Sequence, residues 1–400
     1  MFSNLVGAAQ GRNGRPHASG VAINRTSESA QPVAAAYQQL VDSVRFRVVS
    51  TGGFHNDNYR VHLTEQQARP LGLDADTTLL VRVRRRKPEL VRRFWPDEAV
   101  LLRQLAAVRD DPTDQREIDG PEVLHSSEDG ASVHLYVNGA ELAQGCPDGE
   151  AVPEHYVEQI ARFFGRLVRF GEKDLPRLPK GCPDNGDSTG FLRSLVAFAQ
   201  EELCEGNQKE FGELFSALGV PDDAMAGFGR GLPPLVSRPF ALLHTDVHRR
   251  NIIVDEHDQL RFVDWELAAF GDPLLDLSTH LRRMRYPAWQ EAQVVDAWRR
   301  AVGEVSPAHT AGLAHDLPIY LAYERAQSVY PDVIRAALSL GALAEEPALD
   351  RAVSRTRAAL LAAAGPLGLA EVPDAEGIRG PLLKWHHSRW FERSLERRAR

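Results

Sequence analysis

The stretch that most constrains this chain of 400 residues is 241–266. Two short apolar runs, Ala241–Leu243 and Ile252–Val254, are joined by His244-Thr245-Asp246-Val247-His248-Arg249-Arg250-Asn251. Runs this short, one of them β-branched, predict strands and not helices. The polar segment between them then has to be a turn at one sheet edge. Residues 255–259 have the composition of a hairpin turn, and 260–263 read as the returning strand, which brings Asp264 back beside Asn251. Any one of these polar residues reads most simply as a cap or an Asx-turn. Together, Asp246, Asn251 and Asp264 are the parts that phosphoryl transfer needs: a carboxylate for an attacking hydroxyl, and oxygen donors for the magnesium ions that neutralise phosphate charge.

At these residues the chain resembles the aminoglycoside phosphotransferase family of the protein-kinase-like superfamily. His244, Asp246 and Asn251 match its His-x-Asp-x-x-x-x-Asn loop, and Asp264-Trp265-Glu266 matches its metal segment. Gly271-Asp272-Pro273-Leu274-Leu275-Asp276-Leu277 is similar to the continuation that follows. The resemblance implies an α+β, bilobal protein-kinase-like fold, with an N-terminal antiparallel sheet, one main helix and a larger, mostly helical second lobe. It implies Asp246 as catalytic base, Asn251 and Asp264 as Mg2+ ligands, and His244 as scaffold. Asp272 and Asp276 are expected to hold the loop. ATP or GTP is the expected phosphoryl donor. His248 and His55 are read as hydrogen-bonding bystanders.

Upstream, a kinase-like fold needs a glycine turn whose amides can approach phosphates. Residues 44–50 alternate apolar and polar as a strand does. They lead into Gly52-Gly53-Phe54-His55-Asn56, which is similar to the family's nucleotide loop and marks Gly52, Gly53 and Asn56 as nucleotide contacts. Residues 77–84 read as the next strand, and 97–108 as a helix with Val100, Leu101, Leu105 and Val108 inward. Arg82 on the strand and Glu98, 16 residues later, then form the expected cation–carboxylate pair. The departure is Arg in place of the commoner Lys; Arg is bulkier but grips phosphate with two donors. Lys87, just before Pro88, is the rival cation. Leu135 and Val137 precede the expected hinge Asn138-Gly139 and offer backbone groups to a nucleotide base.

The expected organisation is a mobile extension over 1–36, a nucleotide-binding lobe over 37–137, a catalytic and substrate-binding lobe over 138–380, and a tail over 381–400. A helix is predicted from 153 to 170, with Val157, Ile160, Phe164, Leu167 and Val168 buried. Glu201, Glu202 and Glu205 form an acidic cluster that either meets a cationic acceptor or is simply a solvated helix face. Glu266, Glu324 and Asp332 are further candidate substrate contacts, with core or capping roles as the alternative. Pro331 is expected to kink or break its helix.

Composition narrows the partners. A formal net charge of −8 argues against nucleic acid and is compatible with a small cationic substrate. Three cysteines, Cys146, Cys182 and Cys204, lack metal-ligand spacing. No apolar run approaches the roughly 18 residues that a membrane span requires, so neither membrane nor export is indicated and a cytoplasmic location is expected. The expected acceptor is an antibiotic of the aminoglycoside, basic peptide or nucleoside type, in resistance or biosynthesis, with a metabolite such as choline, a sugar or an amino alcohol as the alternative. A non-catalytic nucleotide-binding module is the third reading. Nothing in the sequence fixes the oligomeric state.

Overall fold

The computed structural model describes residues 27–45, 56–85, 93–109, 116, 118, 120–127, 129–341 and 343–398. Gly52, Gly53, His55 and Lys87 lie outside the described residues. The first lobe opens on α1 (Ser27–Arg45), then β1 (Asn56–His62), α2 (Glu65–Leu71), β2 (Thr78–Arg84), α3 (Glu98–Arg109), β3 (Val123–Ser126) and β4 (Ser132–Leu135). Its four strands form an antiparallel sheet in the order β1-β2-β4-β3. Arg82 sits opposite Asn58 on one side and Ser132 on the other, at the centre of that sheet.

α1 corrects the expectation of an extension to residue 36 and of a strand starting at residue 44. Tyr37, Leu40, Val41 and Val44 fall at i, i+3, i+4 and i+7, one helical face. All four are buried with Tyr59, Val61, Leu79, Val81 and Val133 of the sheet. The remainder of the expected strand, 46–50, lies outside the described residues.

α3 belongs to a different core. Leu101, Leu102 and Leu105 join the second lobe's apolar cluster, which contains Trp265 of the metal segment. Val100, expected inward, is 49% exposed; Ala99 and Leu102 take the inner face instead. The helix that carries Glu98 is therefore packed against the segment that carries Asp264.

The second lobe contains β5 (Ala140–Glu141), α4 (Leu142–Gly145), α5 (Glu154–Leu167), α6 (Ser188–Phe198), α7 (Gln208–Ala217) and α8 (Ala224–Arg230). Four short strands follow as β6 (Ala241–Leu243), β7 (Ile252–Val254), β8 (Leu260–Phe262) and β9 (Ala269–Gly271). Then come α9 (Pro273–Met284), α10 (Ala288–Val305), α11 (Leu313–Leu338), α12 (Glu346–Leu367) and α13 (Ala375–Arg398). β7 pairs antiparallel with both β5 and β8, and β6 with β9. α5 buries Val157, Ile160, Phe164 and Leu167.

α11 continues through Pro331 without interruption. The segment expected as a tail from 381 is part of α13: Ile378 and Leu382 are fully buried, and the Trp385 indole N–H donates to the Glu210 carbonyl at 3.0 Å. Among the described residues no helix is long and apolar enough to cross a membrane.

Candidate active site

β6 ends at Leu243, and the next three residues are held by α9. The Asp276 carboxylate accepts the His244 and Thr245 backbone N–H groups, each at 2.8 Å. Thr245 is left-handed at φ +57°, a conformation disfavoured for a β-branched residue and sustained only where its surroundings fix it. Its hydroxyl donates to the Leu267 carbonyl at 2.6 Å, which ties the loop to the metal segment. His244 is fully buried, and its Nδ1 accepts the Asp246 N–H at 3.3 Å. Burial lowers its pKa to about 3, so the imidazole is neutral and acts as scaffold.

Asp246 is 6% exposed and Asn251 8%. The Asn251 amide nitrogen donates to Asp246 Oδ2 at 3.0 Å and to the Asp246 carbonyl at 3.1 Å. With its nitrogen so committed, Asn251 has its amide oxygen left as a hard donor for a cation. Asp246 Oδ1 is ion-paired with Arg283 of α9. His248 lies 3.6 Å from the same oxygen, and burial lowers its pKa to about 4.

β7 and β8 pair Ile252 with Phe262, and the Val263 N–H donates to the Asn251 carbonyl at 3.0 Å. The chain then turns at Asp264, which is left-handed at φ +67°. Asp264 Oδ1 accepts a bond from Arg82 at 2.6 Å. Arg82 is also ion-paired with Glu98, and Glu266 lies 3.6 Å from it. Burial alone would raise the Asp264 carboxyl, but Arg82 outweighs it and holds the group below its ordinary value. Burial pushes Glu98 up to about 7 despite Arg82. For Arg82 burial works the other way, and its three carboxylates win, so its pKa rises further.

Glu266 belongs to the same cluster as Arg82. It is 7% exposed and accepts from Asn56 at 2.7 Å and from Arg93 at 3.2 Å. At the hinge, the Leu135 and Tyr136 N–H groups are spent on Glu122 and Thr78 carbonyls. A cleft of about 800 Å³ runs beside Leu135, Val137, Gly139, Val254 and Phe262. Arg82, Asp246, Asn251 and Asp264 do not line it, so it lies apart from all four.

Glu201, Glu202 and Glu205 are exposed on the segment after α6, where Glu205 accepts from Gln200 at 3.0 Å. No hydrogen bond or ion pair joins them to the catalytic loop among the described residues. Glu324 is buried and accepts the Thr279 hydroxyl at 2.9 Å. Asp332 pairs with Arg282 at 3.0 Å. Asp272 caps α9 through the Leu274 N–H at 3.0 Å and is gripped by buried Arg238, which also pairs with Asp316. Arg93, Arg238 and Arg283 were not singled out from sequence; each sits in an irregular or helical stretch with no motif around it.

Asn251 and Asp264 are suited to Mg2+, which prefers oxygen and keeps waters and phosphate oxygens in its shell. No group of three or more His, Cys, Asp or Glu side chains capable of holding a metal occurs among the described residues. Two protein ligands fit an ion that arrives with a nucleotide better than one held in a closed cage.

The model of the phosphotransferase enzyme family matches residues 46–315. A proposed aminoglycoside phosphotransferase from Ralstonia eutropha JMP134 is similar in structure, with a TM-score of 0.52 at 16% identity, over 84% of this chain and 99% of that one. A choline/ethanolamine kinase family protein from Mesorhizobium loti matches with a TM-score of 0.45 at 18% identity, over 87% of this chain and 99% of that one. A search of curated proteins returns no match. The fold is the bilobal, protein-kinase-like α+β architecture.

Proposed function

We propose that this chain, which belongs to the phosphotransferase enzyme family, transfers the γ-phosphoryl group of ATP or GTP to a hydroxyl of a small molecule. The observation that carries the reading is the bond from Asn251 Nδ2 to Asp246 Oδ2. It holds the carboxylate for an incoming hydroxyl and leaves the amide oxygen available to a cation, so one contact would prepare both halves of the site.

The acceptor oxygen attacks the γ-phosphorus in line, the bond to the β-bridging oxygen breaks, and Asp246 takes the hydroxyl proton. Arg82, held by Glu98, is placed to leave Asp264 for the nucleotide's phosphates. Asn251 and Asp264 would hold magnesium, which neutralises phosphate charge when bound. Little covalent chemistry falls to the protein: positioning and preorganised charge supply most of the barrier reduction. The linked set Asp246, Asn251, Asp264, Arg82 and Glu98 favours catalysis over a nucleotide-binding module. Antibiotics and metabolites remain the two acceptor classes. The exposed Glu201, Glu202 and Glu205 lend no support to a cationic one.

The test is mass spectrometry after incubation with ATP, magnesium and a panel of hydroxylated antibiotics and metabolites, with Asp246→Asn as control. A gain of one phosphoryl group on a compound, absent in the control, supports the reading. Equal transfer by Asp246→Asn removes Asp246 as base.

A further inference from the structure

Arg283 touches the proposed base yet has no part in the transfer step just described. Its guanidinium is ion-paired with Asp246 Oδ1, and its side chain is 33% exposed. Asp246 is the one carboxylate with which it pairs among the described residues. Its other charged neighbours, Arg335, Glu324 and Asp332, all belong to α11 and not to the metal segment. Arg283 therefore approaches Asp246 from the α11 side, the side left open to an acceptor if the nucleotide takes the Arg82 side.

The carboxylates on that side are already engaged. Asp332 serves two cations, Arg282 at 3.0 Å and Arg335 at 3.7 Å. Glu324 is 4% exposed and holds the Thr279 hydroxyl. Burial raises its carboxyl pKa, which disfavours the ionised form an ammonium would need. Among the described residues, an ammonium group arriving here meets three guanidinium groups and no uncommitted carboxylate. Arg282 and Arg335 share the one carboxylate of Asp332, so these surroundings carry surplus positive charge that an acid group would balance. Arg is also the side chain best shaped to grip a carboxylate or phosphate with two parallel bonds.

We propose that Arg283 recognises the acceptor and that the acceptor is a hydroxylated acid, carrying a carboxylate or phosphate beside the hydroxyl that is phosphorylated. The Asp246–Arg283 pair opens on binding: the acid group takes the guanidinium, and the hydroxyl takes the freed carboxylate oxygen. A molecule with only one of these groups leaves half of the pair unmatched. The inference rests on Asp246 being the base, and it replaces the cationic acceptor expected from sequence.

The experiment uses the full chain, magnesium, γ-labelled ATP and a polar small-molecule cell extract, with Asp246→Asn as control. Labelled product is isolated and identified by mass spectrometry, and its unphosphorylated acceptor, purified from untreated extract, is run on an anion exchanger. Retention on the exchanger is expected. Arg283→Gln should then raise the KM for that acceptor by about tenfold or more, the loss of one charge-assisted contact, with the KM for ATP nearly unchanged. Arg283→Lys, which keeps the charge, should recover part of it. A neutral or cationic acceptor overturns the inference while leaving the transfer reaction intact. So does a fall in kcat with the acceptor's KM unchanged, the signature of a contact to the moving phosphoryl group. Labelling equal to the control removes Asp246 as base and this inference with it, and labelling no greater than in a blank without protein overturns the function proposed above.

Discussion

The Asp276 carboxylate receives the N–H of Thr245 at 2.8 Å, and Thr245 is the left-handed residue immediately before Asp246. With the matching bond from His244, it makes α9 the mould of the catalytic loop. Asp276→Asn keeps the shape but presents an NH2 group to one of two N–H donors. One backbone group is then unsatisfied, at a cost of about 1–3 kcal/mol, and the loop is freed to leave its strained conformation. We expect kcat to fall by about 10- to 100-fold, as small misplacements at a reacting centre do, with nucleotide affinity little changed. Steady-state kinetics with calorimetric nucleotide titration checks both.

The same residue sets a pH dependence. Burial pushes the Asp276 carboxyl up to about 7, although the two N–H groups pull it down. Its folded pKa thus lies above its unfolded value near 3.9, so the folded state holds the proton more tightly. That contribution is full below the unfolded value and is lost as pH rises through about 7. The advantage of wild type over Asp276→Asn in melting temperature should be larger at acidic pH than at alkaline pH. A constant difference across that window would show that the site does not titrate there.

Arg82 stands between Glu98, Asp264 and Glu266, all within one buried cluster. Arg82→Ala leaves three carboxylates facing one another. Breaking a buried pair in this way costs about 3–5 kcal/mol, and nucleotide binding should weaken sharply. Arg82→Lys keeps the charge but not the fork that reaches Glu98 and Asp264 together. It should fold better than the Ala variant and still bind ATP less tightly than wild type. Melting curves paired with ATP titrations test the order. Equal stability of the Ala and Lys variants would contradict the charge argument.

What was legible in the sequence was local chemistry. Asp246, Asn251 and Asp264 could be placed because strand, turn and hairpin fix their spacing within a short stretch. The Arg82–Glu98 pair followed from the length of strand, connection and first helical turn. Arg283 could not be found this way, since its partner lies 37 positions earlier and only the packing of α9 under the loop joins them. The surroundings of Glu266 are illegible for a related reason. A motif gives a residue's position in the chain, while the contacts from Asn56 and Arg93 that draw it into the Arg82 cluster come from another lobe. The first helix was a different failure. The 37, 40, 41, 44 periodicity is helical, but the alternation over 44–50 reads as a strand and overlaps its last turn.

That helix yields the last prediction. Val41 and Val44 are fully buried, and Leu40 is 5% exposed, against a sheet face that carries Val81 next to Arg82. If α1 covers the sheet, Leu40→Ala should leave a cavity that costs about 2–5 kcal/mol. Val41→Asp would bury an unpaired carboxylate and should cost more. Because β2 carries Arg82, loosening of this core should raise the KM for ATP before it changes the acceptor's KM. Gln38→Ala, on the half-buried rim of the same helix, should stay within about 0.5 kcal/mol of wild type, as surface changes usually do. Urea melts of the three variants, with KM measured for both substrates, decide the matter. Wild-type stability in Leu40→Ala would mean that α1 does not seal the sheet.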